Sequence, residues 1–481
     1  MNTFATLTAI RFPDPSPKGR LERFLSHFAD VRAGEGVEVL LLALNLFLLL
    51  AAYYMLKTAR EVLILTEGGA EVKAYSAAGQ ALLLLGVVPL FGAVASRVNR
   101  VRLVTGVTLF FASNLAVFIV LGKLGVHEGI PYFLWVGIFN VMVIAQLWAF
   151  ANDLYHPKQG ERLFPLVGLG SSVGAWLGAL AATKMIRGIG PYGLMTAAAL
   201  LLVCCAGLTW WIDRRHVRQP EQRSKAVSEK PLAKEGGFQL ILRDRYLMLM
   251  ALLVVLLNVV NTSGEFLLGK LVVAEAARAF PNAATMLAER QQFIGEFYGT
   301  FFGWVNVTGL VLQTFFVSRI FKAIGAGGAL FLGPCIALVG YSVILLTPIL
   351  GFVRVLKILD NSVDYSVQNT ARQALFLPLS REAKYKAKAA IDAFFMRFGD
   401  VLQAGIVYAG TALGFALSSF AALNLAFTGA WFLIAAGLAR EYKRRLTRPQ
   451  GEGALGKGNS QGRPLQTVRQ DRGPVRVLGP R

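Results

Sequence analysis

Two runs of this chain, Val39–Leu56 and Met195–Ile212, are almost wholly apolar. Coiled as a helix at 1.5 Å per residue, each covers about 27 Å, close to the ~30 Å thickness of bilayer hydrocarbon. A segment in hydrocarbon must satisfy its own backbone polar groups. A long unbroken apolar run does so as a helix rather than as a strand of alternating polarity. Composition agrees: 55% of the 481 residues are hydrophobic and 16% charged, where soluble domains carry about 25% charged residues. The expectation is an all-α, multi-pass protein integral to a lipid bilayer.

Apolar segments recur at 37–65, 74–96, 102–122, 131–152, 162–184 and 191–212, and again at 246–272, 293–318, 327–347, 350–377, 388–414 and 418–440. This predicts twelve transmembrane helices in two six-helix bundles, 37–212 and 246–440. Residues 1–36 form a cytoplasmic start, in which Leu21, Phe24, Leu25, Phe28 and Val31 recur at helical spacing and predict an amphipathic surface helix. Residues 213–245 read as a basic cytoplasmic linker. Residues 441–481, rich in Gly, Arg and Gln, read as a disordered basic tail. Gly170, Gly174 and Gly178 repeat every fourth residue, which lets a second helix approach closely.

The net charge is +21, but most of the Lys and Arg fall in alternate connections and the termini. A nucleic-acid binder gathers its charge on one folded face, so nucleic acid is not an expected partner. The pattern places both termini in the cytoplasm, with a bacterial inner (plasma) membrane as the host. Cys204, Cys205 and Cys335 lie in apolar spans without metal spacing, and His27, His127, His156 and His216 are scattered outside the spans. No metal site and no cofactor are expected, and the oligomeric state is left open, a monomer sufficing. Asp153 beside His156 is the nearest thing to an acid–base pair, and a boundary ion pair explains it better, so no enzyme activity is expected.

Ionisable groups within spans are costly and face a cavity or a partner. At 100° per residue, Tyr53, Tyr54, Lys57, Arg60 and Glu61 share one face of the first span. Gln146 and Asp153 share a face of the fourth, and Asn258, Asn261, Thr262 and Glu265 a face of the seventh. Arg354, Lys357, Asp360, Asn361, Asp364, Gln368 and Arg372 make one stripe along the tenth. The eleventh adds Asp392, Arg397 and Asp400. Such faces line water, a ligand or another polar helix, and individually they are also consistent with ion pairs that fasten helices together.

Three separated segments carry a resemblance. Trp148–Ala175 (WAFANDLYHPKQGERLFPLVGLGSSVGA), Leu377–Asp392 (LPLSREAKYKAKAAID) and Leu56–Glu67 (LKTAREVLILTE) resemble, in order, parts of the bacterial and plastid ATP/ADP translocases. The resemblance implies a fold of the major facilitator type, in which spans one, four, seven and ten line a central cavity. It also implies nucleotide exchange by alternating access. Arg60 and Asp153 fall at functional Lys and Glu positions of that family, and Lys384, Lys386 and Lys388 match a basic cluster suited to phosphates. Asn261 stands at a family Glu position, and Glu265 and Asp364 at family Lys positions. The implied site is therefore less positive than the family's, which predicts weak handling of ATP and a substrate with fewer negative charges or an added cationic group. Substrate binding is expected at Lys57, Arg60, Glu61, Asp153, Asn261, Glu265, Arg354, Lys357, Asp364, Arg372, Lys386 and Lys388. Two alternatives stand beside nucleotide exchange. One is transport of another anionic or zwitterionic metabolite, with a proton titrating Glu61 or Asp153; the other is a non-transporting protein whose charged helices bind a partner.

Overall fold

The computed structural model describes residues 19–26, 29–95, 97–155, 157–217, 237–282, 285–380 and 383–447. Eight helical stretches among them are long and apolar enough to cross a membrane. The helices are labelled α1 (Gly36–Glu67), α2 (Gly69–Ala95), α3 (Arg100–Lys123), α4 (Gly129–Leu154) and α5 (Pro157–Val217). They continue as α6 (Arg245–Ala279), α7 (Leu287–Ala329), α8 (Leu332–Leu346), α9 (350–375), α10 (383–412) and α11 (Leu417–Thr447).

A straight helix as long as α5 would extend roughly 90 Å, about three times the hydrocarbon thickness. It does not run straight. At Gly190 the backbone turns to φ 63°, a left-handed conformation that glycine adopts without a Cβ clash, and the chain doubles back as two arms. Gly325, at φ 66°, breaks α7 in the same way.

In chain order the helices form a first set, α1–α5, and a second set, α6–α11. Within the first, the small-residue stripe does what its spacing predicts. A Cβ at Gly170, Gly174 or Gly178 would run into the backbone of Ala43, Phe47 or Ala51 on α1. Asn45 on α1 donates to the Thr209 hydroxyl on the second arm of α5 at 2.8 Å, a buried polar link in an otherwise apolar interface.

The groups meet through α5 with α7, α2 with α10, and α1 and α2 with α6 and α7. Ion pairs join them at the end that carries the Gly68 turn: Glu71 with Lys270, and Arg187 Nη2 with Glu296 Oε2 at 2.8 Å. Helix α9 is not uniformly α-helical, since residues Asp364–Gln368 form a π-helical turn. Such turns shift the register of every later side chain and often mark functional sites.

Several features differ from the sequence expectation. Near the start, the described helix covers only Arg20–Leu25, with Leu25 and Val31 buried and Phe24 exposed; Phe28 lies outside the described residues. The linker region carries helix up to Val217 and a short helix at Gly237–Arg243, with 218–236 outside the described residues. Helix α11 runs on to Thr447, past the expected end at 440, because Glu441 pairs with Arg445 one turn on and Arg445 reaches Asp244 at 2.6 Å. Residues 448–481 lie outside the described residues.

Candidate functional site

The charged faces of α1 and α6 turn toward each other where the two bundles meet. Between them lies a cavity of about 180 Å³, lined from α1 by Lys57, Arg60 and Glu61 and from α2 by Lys73. The second bundle contributes Asn261, Thr262, Glu265 and Phe266 from α6, Phe302 from α7, Asn361 and Tyr365 from α9, and Gln403 from α10. An apolar cavity of ~150 Å³ is filled by a benzene molecule, so this one encloses about one ring system.

Its charges are organised. Glu61 is buried and receives Arg60 at 2.5 Å and Lys73 at 2.6 Å. Glu265 accepts from Asn361 at 2.9 Å, and its oxygens lie 3.9 Å from Lys357 and 4.0 Å from Lys73. Lys357 also donates to Asp360 at 2.7 Å and to the Asn261 side chain. Lys57 makes no ion pair among the described residues. Its ammonium instead sits 4.1 Å from the Phe302 ring centre and 5.3 Å from that of Tyr54, where the ring quadrupoles favour a cation. Among the lining residues three cations face two carboxylates, leaving one positive charge in excess.

Lys57, Arg60, Glu61, Asn261 and Glu265 are thus brought into one place, with Lys357 directly behind them. The other expected residues lie elsewhere. Arg354 rests 5.2 Å over the Phe297 ring on α7. Asp364 faces Arg372 at 3.6 Å and borders a small chamber with Asp360, Gln368 and Trp431. Arg372 and Asp392 line a separate cavity of about 210 Å³ within the second bundle. Lys388 pairs with Asp392 at 2.9 Å at the start of α10, and Lys386 is half-buried nearby.

Asp153 is not among the cavity residues. The guanidinium of Arg60 packs on Phe133 of α4 at 4.6 Å, and Asp153 follows twenty residues later, roughly 30 Å along the helix axis. There it is half-exposed and pairs with Arg100 at 2.9 Å. Helical periodicity gives a residue its face but not its height, which is why Asp153 was grouped with Arg60. Conversely, Lys73, Phe302, Tyr365 and Gln403 were missed. Lys73 lies in the first turns of α2, before the apolar run that marks the span. Phe302 and Tyr365 look like ordinary apolar lining until the opposite bundle is in place.

A charged chamber thus lies between the two sets of apolar, membrane-length helices and is lined by both. The family model described as TLC ATP/ADP transporter matches residues 132–442, well over half the chain, and the chain belongs to that family. ADP,ATP carrier protein 1 of Chlamydia muridarum is 26% identical over 316 residues, which cover 56% of each chain. ADP,ATP carrier protein 2 of Chlamydia trachomatis serovar D is 22% identical over 504 residues, 87% of this chain and 91% of the relative. The match to the first of these takes in little more than half of that relative's own length.

Among solved structures, a bacterial homologue of the iron transporter ferroportin in an inward-facing state superposes with a TM-score of 0.59 at 12% identity, covering 84% of this chain and 98% of that one. The nucleoside transporter NupG gives 0.54 at 11% identity, covering 85% and 100%. At these identities the likeness is one of fold.

Proposed function

We propose that this chain exchanges nucleotides across a membrane, ATP against ADP or a related pair of phosphate-bearing metabolites, by alternating access to the chamber between its bundles. The observation that carries this reading is the lining of that chamber in a member of this family: Lys57, Arg60 and Lys73 from the first bundle face aromatic and amide side chains from the second. Lysine and arginine supply charge-assisted hydrogen bonds to phosphate oxygens. Phe302 and Tyr365 offer flat faces to a base. A whole nucleotide exceeds the enclosed volume, so the bundles part at one end to admit it.

Counting the arms on either side of Gly190 separately, and adding α8, α9 and α10 to the remaining stretches, gives twelve spans. The basic connections support a topology in which both termini are cytoplasmic, in a bacterial inner membrane. In this reading Lys57, Arg60, Glu61, Asn261, Glu265 and Lys357 form the substrate site. Asp364, Arg372, Lys386 and Lys388 lie toward the cytoplasmic side of that site and Arg354, near the start of α9, toward the opposite side, while Asp153 with Arg100 acts at the cytoplasmic mouth. A second reading, a zwitterionic metabolite, draws on the two carboxylates Glu61 and Glu265 in the same chamber.

The test is uptake by proteoliposomes of labelled ATP, ADP, AMP and a phosphate-free zwitterion, each with and without internal counter-substrate. Nucleotide uptake that requires an internal nucleotide is the expected result. Uptake of the zwitterion alone would establish the second reading, and no uptake of any nucleotide would refute the first.

A further inference from the structure

Glu265 occupies an unusual position in the chamber. It belongs to the second bundle, yet it faces a cation from each: Lys357 beside Oε1 at 3.9 Å, and Lys73 of the first bundle beside Oε2 at 4.0 Å. Asn361 fixes its orientation by donating to Oε1 at 2.9 Å. Lys73 in turn is held by Glu61 of its own bundle at 2.6 Å and sits 5.3 Å from the Tyr298 ring centre on α7. A carboxylate with its two oxygens shared between cations of opposite bundles has the arrangement of an anionic ligand bound at the interface.

We propose that Glu265 is a built-in counter-anion, which an anionic substrate must displace from Lys73 in order to bind. The proposal rests on the reading of this chamber as an anion-transport site. The side chain is only partly buried, at 25% exposure, so it has room to swing aside, whereas Glu61 is 1% exposed and doubly paired. Glu265 is therefore the carboxylate that yields and Glu61 the one that stays. While Glu265 remains in place, Lys73 is shared between two carboxylates, and Lys57 is the cation with no carboxylate partner among the described residues.

Two consequences follow for specificity. Affinity for any phosphate is lower than the three lining cations alone would give, since part of the attraction is spent on displacing Glu265. Repulsion between the displaced carboxylate and the ligand also grows with ligand charge, so Glu265 selects for nucleotides with few negative charges and against triphosphates. The residue thus acts as a specificity determinant rather than as a further binding group.

The experiment compares the native protein with Glu265→Gln, which keeps the amide-length side chain and its contact with Asn361 but removes the charge. Purified protein is titrated with orthophosphate, pyrophosphate and tripolyphosphate while thermal stabilisation is followed, and the same variants are assayed for exchange of AMP, ADP and ATP in proteoliposomes. The expected result is tighter binding in the variant, by roughly fivefold or more for tripolyphosphate, with a smaller gain for each less charged anion. The KM values for ATP, ADP and AMP should show the same ranking. Glu265→Asp, which retracts the carboxylate from Lys73 but keeps its charge, should give a smaller gain of the same order, and it serves if the Gln variant fails to fold. Equal or weaker binding of all three anions by folded variants would overturn the proposal. If the anion ranking shifts but no nucleotide is exchanged, the counter-anion stands and nucleotide exchange fails. If native exchange is observed without any shift in ranking, the counter-anion fails.

Discussion

Lys57 and Glu128 show how single ionisable groups are handled in this chain. Lys57 lies against Phe302 of the opposite bundle rather than against a carboxylate, which keeps it available to an anion. Hydrogen bonds to charged groups are worth about 1.5–3 kcal/mol, so Lys57→Gln should lower kcat/KM for nucleotide exchange by roughly 10- to 150-fold. Lys57→Arg should retain most of it. A Gln variant with native kinetics would remove Lys57 from the site. Glu128 sits in the loop before α4, 1% exposed. Burial pushes its carboxyl up to about 7, and the charge of Glu67 adds to the rise. The tyrosines Tyr132 and Tyr192 also face it. Because the folded value lies above the ordinary 4.5, the folded state holds this proton more tightly. That stabilisation is complete below about pH 4.5 and is lost as pH rises toward 7. Thermal unfolding of the detergent-purified protein should therefore show a decline between those values that Glu128→Gln reduces. An unchanged pH profile in the variant would show that Glu128 is not its source.

At the scale of elements, the α1–α5 interface depends on three glycines whose absent side chains admit the backbone of α1. Overpacking a close interface costs about 1–3 kcal/mol and more where backbone cannot move. Gly174→Val should accordingly lower the melting temperature sharply or abolish folding. Gly188→Ala, on the same arm with nothing within 4 Å of an added Cβ, should be neutral. Equal effects of the two substitutions would refute close packing as the role of the stripe. The spacing made this interface legible in the sequence, because four-residue repetition puts small residues on one face whatever the rest of the fold does. The π-helical turn at Asp364–Gln368 was not legible. Asp364 and Gln368 border the interior of the second bundle beside Trp431, so a stripe that is continuous in the sequence is divided among four separate cavities.

At the scale of the whole molecule, the two bundles touch closely at the end bearing the Gly68 turn. An added Cβ at Gly269 would lie 3.3 Å from that of Ala70, near the ~3.8 Å separation typical of a disulfide. In a background where Cys204, Cys205 and Cys335 are replaced, Ala70→Cys with Gly269→Cys should cross-link on oxidation and tie the bundles there. If transport requires that end to open, exchange is lost on oxidation and recovers with reductant. Full exchange by the cross-linked protein would refute rocking of the bundles about this contact. Reporter fusions at the two termini give the complementary test of topology, with both expected on the cytoplasmic side.

The sequence by itself determined that this is a helical membrane protein, and it picked out the charged faces of α1, α6 and α9. Those properties follow from local rules: apolar length against bilayer thickness, and a fixed angle per residue around a helix. It could not say which faces meet, because neither height along the membrane nor the partner helix is encoded in a period. Tertiary structure decided that Arg60 and Glu265 share a chamber, that Asp153 pairs with Arg100 instead, and that Lys73 joins the site. The physical reason is that an ion pair forms between whatever charges the packing of the bundles brings within a few ångströms. That packing is set by contacts such as Gly295 against Ile186 and Gly299 against Thr183, more than a hundred residues apart in the chain.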